Sequence, residues 1–238
     1  MASVRVPGFT PADNGLPYVN AWPHIPLFEF QLSNLAKLSI GDAANGLCGG
    51  MSFTAADLHS AGLRPGDAGR PEAGTARFDY IVARQMESFA GVAVPLRFYS
   101  LMRTVRPERE PVWADLLGRL GIDRHSRGWV MVRQEWPRVR ADLDAGRLAM
   151  IGLLSIVDDD PFRMNRNHQV VAFGYDLEGT DLTLRIYDPN WPKDDEITLR
   201  LDIGDPRAPL STTWSRTDRN VVCFFRAPYA PRDPQPWR

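Results

Sequence analysis

Three residues in this chain carry side chains able to make and break an acyl bond: Cys48, His168 and Asp188. A thiol becomes a strong nucleophile once it is deprotonated. An imidazole can take that proton and later return it. A carboxylate can orient the imidazole and stabilise its charged form. Cys48 lies in NGLCGGMSF, where Gly46, Gly49 and Gly50 permit close backbone approach and unusual dihedrals. A helix-like pattern follows at once, so the thiol sits where a helix dipole and free N–H groups stabilise a thiolate and an oxyanion.

The spacing of the other two residues is read from a hairpin, HQVVAFGYDLEGTDLTLRIYDPNWP. Its turn signal spans Leu177–Asp181, centred on Gly179. Leu182, Leu184 and Ile186 form one apolar face of the second strand. If they share a face with Val170 and Ala172, paired residue numbers sum to an even value of about 356–358. His168 then faces Asp188 or Asn190, and all three point the same way. A cysteine, a histidine some 120 residues on, then a carboxylate is the order expected of a papain-like enzyme.

Each residue also has an ordinary structural reading. A cysteine among glycines can be a small buried apolar group. Asp-Pro-Asn starts turns. Trp191 can wall a cleft or simply pack.

The elements around these residues fall into two halves. From Met51 to Gly146 the patterns are helical. Met51, Ala55 and Leu58 share a face with Gly62 as the stop. Phe78, Ile81, Val82, Gln85 and Phe89 form a second stripe ending near Gly91, and Val112–Leu120 is a third candidate. EWPRVRADLDAGR is a fourth, with Pro137 near its start and Gly146 past its end. From Leu148 the period becomes two, in LAMIGLLSIV, HQVVAFGYD, DLTLRIYD, EITLRLDI and NVVCFFRA. Helices followed by antiparallel strands predict an α+β fold. Residues 1–26, with five prolines, read as an extended surface arm; residues 27–228 form one α+β domain; residues 229–238 are a tail.

Composition narrows the function classes. The 238 residues are 44% hydrophobic and 24% charged, with a formal net charge of −1. No basic field draws the chain to nucleic acid or an anionic membrane. No apolar run approaches the ~20 residues of a membrane span, and the opening shows no signal-peptide h-region, so a cytoplasmic location is the default expectation. Two cysteines form neither a disulfide framework nor a zinc site; Cys223, in VVCFF, reads as a buried strand residue. His24, His59 and His125 lack ligand spacing, and Asp158–Asp160 and Asp194–Glu196 read as solvated turns. Neither metal nor cofactor is expected.

GLCGGM, then LDAGRLAMIGLL, NHQVVAFGYD and IYDPN, together resemble the papain-like cysteine peptidase superfamily. The likeness is nearest to the branch of bacteriocin-leader-processing peptidases, in which an H-x-V-V-x-x-G-Y strand carries the histidine and a following D-P the third member. The resemblance implies a papain-like fold, with a helical N-terminal half packed on a C-terminal antiparallel sheet. It implies Cys48 as nucleophile, His168 as base and Asp188 as orienting group. Asn45, Gly49, Asn190 and Trp191 would surround the oxyanion and a peptide or amide substrate. One departure stands out. The superfamily places a glutamine about six residues before the cysteine, where this chain has Asp42; Asn45 is the nearest amide that can take its place. A carboxylate there would repel an oxyanion, so a non-catalytic binding module of the same fold is the alternative.

Overall fold

The computed structural model describes residues 1–23, 29–33, 36–39, 46–114, 117, 124–217 and 220–238. In chain order the elements begin with β1 (Ala2–Arg5), α1 (Pro11–Asn14), β2 (Glu29–Ser33) and β3 (Ala36–Ser39). The helices α2 (Cys48–Ser60), α3 (Ala76–Ser88) and α4 (Ala93–Met102) follow. A continuous helical run then comprises α5 (Arg127–Trp129), a π-helical stretch Val130–Glu135 and α6 (Trp136–Asp144). The strands β4 (Ala149–Leu154), β5 (His168–Glu178), β6 (Asp181–Tyr187), β7 (Thr198–Asp202), β8 (Thr213–Trp214) and β9 (Cys223–Arg226) complete the chain. The fold is mixed α+β with an antiparallel sheet.

The sheet runs β8-β7-β6-β5-β4-β9, and β1 also pairs with β5. β5 is its spine. One edge carries β6; the other carries β4 along His168–Ala172 and then β1 along Gly174–Leu177. Every residue from His168 to Tyr175 is buried, so both faces of this strand are covered. Helix α2 supplies part of that cover through the Ser52 hydroxyl, which donates to the Gln169 carbonyl, and the α6 residue Trp136 packs edge-on against Tyr175.

Helix α2 is buried from Gly49 to Leu58, a wider burial than the expected stripe of Met51, Ala55 and Leu58. It ends in a Schellman motif: Leu63 N–H bonds Leu58 O, Gly62 N–H bonds His59 O, and Gly62 has φ +67°. Its approach to α3 is set by Gly50, where a Cβ would lie 2.2 Å from the Ile81 carbonyl oxygen. Leu58, Met51, Phe78 and Ile81 share a small core with Leu16 and Trp22.

Two expectations are corrected. The N-terminal residues are not a surface arm. β1 is a strand of the main sheet, and Val6, Phe9 and Leu16 are buried. Prolines at 7, 11 and 17 punctuate this segment without keeping it off the core, because each stands outside the paired residues of β1. The tail is likewise docked. The buried Asp57 carboxylate accepts from Tyr80 Oη, Tyr229 Oη and Arg232 N, which ties the tail to α2 and α3. Pro137 stands in the first turn of α6 and Gly146, at φ +72°, follows its end, as expected; the difference is that further helical turns precede it. The helical run begins ten residues earlier, at Arg127, and the wide π turn just ahead of Pro137 accommodates its ring and missing donor. The Val112–Leu120 candidate lies largely outside the described residues.

Candidate active site

Cys48 is the first residue of α2. The helix begins there because Gly46, at φ +89°, turns the chain, and Leu47 lies outside helical dihedrals. The Cys48 thiol interacts with the His168 ring and with the backbone N–H groups of Gln169 and Gly49, each of which favours its thiolate. Burial pushes the thiol up, but the His168 charge and these donors outweigh it and hold Cys48 below its ordinary value. Cys48 as a residue is half-buried.

His168 opens β5, opposite Leu153 of β4. Its Nε2 lies 2.7 Å from Asp188 Oδ1, which leaves Nδ1 for the thiol. Burial presses the imidazole toward its neutral form, but the charges of Asp188 and Cys48 and their hydrogen bonds prevail and raise it to about 10. A lowered thiol beside a raised imidazole favours a thiolate–imidazolium pair. Asp188 is wholly buried. The same Oδ1 accepts the Asn190 N–H at 2.9 Å, and Trp191 N–H bonds Asp188 O at 2.9 Å. The turn reading and the chemical reading of Asp-Pro-Asn therefore describe one arrangement.

The register that brings these groups together changes along the hairpin. Near the site Val171 pairs Tyr187 and Ala172 pairs Ile186, an even sum of 358. Continued past Tyr187, this places His168 opposite Asn190, whose Nδ2 lies 3.4 Å from His168 Nε2. Beyond a bulge at Phe173 the sum becomes 359, and Glu178 pairs Asp181 across a Gly179–Thr180 turn with Gly179 at φ +59°. The expected even sum thus holds at the site and not at the turn. Burial on both faces of β5 removes the one-sided constraint on which the parity argument relied.

The remaining expected positions separate. The Gly49 N–H favours the Cys48 thiolate, and a Cβ on Gly49 would lie 2.2 Å from Ser88 Oγ and 2.8 Å from Gln169 Oε1. Its place is in close packing behind the thiol. Trp191 is half-buried and packs on the main core. Asp42 and Asn45 lie outside the described residues. Cys223 is buried in β9 and burial pushes its thiol up to about 12. Both cysteines are free. Among the described residues no group of three His, Cys, Asp or Glu is placed to hold a metal ion, and no helix is long and apolar enough to cross a membrane.

Two neighbours of the site escaped the sequence reading. Trp214, on the two-residue strand β8, stacks on the His168 ring with centroids 5.8 Å apart and is 6% exposed. It screens the imidazole from water. Its strand is too short to give a period-two signal. Asn20, in the N-terminal segment, bonds both Leu47 and Asn190. No local pattern marks an asparagine that acts across such a distance in sequence.

No family model, no curated protein and no solved structure matches this chain.

Proposed function

We propose that the protein is a cysteine-dependent acyl-transfer enzyme, a peptidase or amidase, on a papain-like fold. The observation that carries this reading is the His168 ring held 2.7 Å from the buried Asp188 carboxylate, with its charge lowering the Cys48 thiol at the start of α2. The thiolate attacks the carbonyl carbon of a peptide or amide, forming a C–S bond and moving the carbonyl π pair onto oxygen. The Cys48 N–H at the start of α2 faces that oxyanion. Collapse breaks the C–N bond, and the imidazolium gives its proton to the departing amine. Water, deprotonated by His168, then cleaves the thioester and releases the acid; an amine acceptor in its place makes the reaction a transfer. Asp188 holds the ring and its charge throughout.

Iodoacetamide labelling across pH tests the reading. Cys48 is expected to be alkylated well below the pH range of a free thiol, and His168→Ala is expected to abolish that advantage. Labelling no faster than a free thiol would sink the acyl-transfer reading. It would leave the non-catalytic binding module, which Asp42 at the expected glutamine position favours.

A further inference from the structure

Asn20 stands 28 residues ahead of Cys48 and is held at four points. Its backbone N–H donates to Pro189 O at 3.0 Å. Its Oδ1 accepts the Leu47 N–H at 2.6 Å and the Trp22 Nε1–H at 3.2 Å. Its Nδ2 donates to Asn190 Oδ1 at 3.3 Å. Leu47 is the residue before the nucleophile, and Pro189 is the residue after the carboxylate. Asn190 in turn lies 3.4 Å from His168 Nε2. One side chain therefore bridges the segment that carries the thiol and the segment that carries its orienting acid.

The chemistry of the contact is specific to an asparagine. The bridge needs a carbonyl acceptor for Leu47 and an N–H donor for Asn190 on one short stem. Aspartate has no donor and would place a negative charge beside the thiolate. The neighbouring loop is shaped around the amide: a Cβ on Gly46 would lie 2.5 Å from Asn20 Nδ2. Trp22, buried in the small core against Phe78, fixes the amide from behind.

We propose that Asn20 is a positioning residue for the thiol–imidazole pair. It sets the start of α2, where Cys48 lies, against the Asp188–Asn190 turn that holds His168. The inference rests on the reading of Cys48 and His168 as a reactive pair.

The test follows the rate of Cys48 alkylation by iodoacetamide against pH, and the titration of the His168 ring by NMR. The wild-type chain is compared with Asn20→Ala, Asn20→Asp, Asn190→Ala and the double alanine variant. Asn20→Ala is expected to slow alkylation at mildly acid pH by about tenfold, as loss of an orienting partner does elsewhere, and to lower the His168 titration. Asn20→Asp keeps the acceptor for Leu47 and so guards against simple misfolding; it is expected to fold and to move the alkylation midpoint upward. The double variant is expected to be no slower than the worse single one, because both cut the same bridge. Unchanged alkylation and His168 titration in Asn20→Ala and Asn20→Asp would overturn the proposal, as would additive losses in the double variant. Slow alkylation of the wild-type chain would instead strike the acyl-transfer reading, while the His168 titration still reports on Asn20.

Discussion

Asp188 Oδ1 lies 2.7 Å from His168 Nε2 while the same oxygen accepts the Asn190 N–H at 2.9 Å. One buried atom thus holds the imidazole and closes the turn beside it. Asp188→Asn keeps an oxygen for the turn and removes the charge. The His168 ring should then titrate below its value of about 10, and Cys48 alkylation at mildly acid pH should slow by about tenfold. Asp188→Ala removes both and should also destabilise the fold by about 3 kcal/mol, the cost of breaking a buried charged pair. Alkylation profiles and urea unfolding of the two variants check this. A superimposable profile for Asp188→Asn would deny the carboxylate its electrostatic role.

The pair also leaves a signature in stability against pH. His168 is raised in the fold, so its contribution is full below its unfolded value of roughly 6.5 and is lost as pH climbs through about 10. Cys48 is lowered, so its contribution has the opposite sense: full above its unfolded value and lost as pH falls. The two offset each other across neutral and mildly alkaline pH. Cys48→Ala removes the rising term and the Cys48 share of the His168 shift, and leaves the falling term that Asp188 sustains. Its stability relative to the wild type is expected to decline from neutral to alkaline pH in chemical denaturation, whereas a constant difference would contradict the paired titration.

The two thiols should separate cleanly in a counting experiment. Cys48 is part-exposed and lowered, while Cys223 is buried and pushed up to about 12. A disulfide reagent at neutral pH should consume one thiol in the native protein and the second only in denaturant. Two fast equivalents in the native state would place Cys223 differently.

Gly50 tests how α2 is held. An added Cβ would meet the Ile81 carbonyl oxygen at 2.2 Å, a backbone atom that cannot swing aside. Gly50→Ala is expected to cost about 2–3 kcal/mol by forcing α2 and α3 apart, whereas Gly62→Ala, at φ +67° with open space around it, is expected to cost about 1 kcal/mol. Equal effects in thermal unfolding would argue against close helix contact at Gly50.

The N-terminal strand is latched by Asp176, which accepts from Ser3 Oγ and from Arg5 Nη2 and also meets Arg185 Nε. Burial pushes this carboxyl up, yet Ser3, Arg5 and Arg185 together hold it below its ordinary value. The latch therefore stabilises above the unfolded carboxylate pKa and is lost as pH falls through the lower folded value. Asp176→Ala should cost about 1 kcal/mol, since the pair is part-exposed and screened, and should speed amide exchange in β1 before the rest of the sheet.

Much of the site was legible because chemistry and local pattern coincided. The glycines around Cys48, the helical run after it and the stop at Gly62 all depend on near neighbours in sequence, and α2 forms between those signals. The β5–β6 hairpin is local in the same sense, so an imidazole and a carboxylate 20 residues apart were recognisable as partners. The two-residue strand β8 gave no such signal, and β1 was obscured by the prolines around it. β1 gains its stability from pairing with residues far along the chain, and β8 pairs only two residues with β7.

By itself, then, the sequence determined the residue types able to do acyl chemistry, the order of helices before strands, and the element that carries each reactive group. Only the tertiary structure decided how those elements meet. The bulge at Phe173 shifts the hairpin register between turn and site, β1 completes one edge of β5, Trp214 covers His168, and Asn20 joins Leu47 to Asn190. The reason is physical: periodicity reports which face of an element is buried, and a strand buried on both faces, or a polar bridge across distant segments, leaves no trace in period.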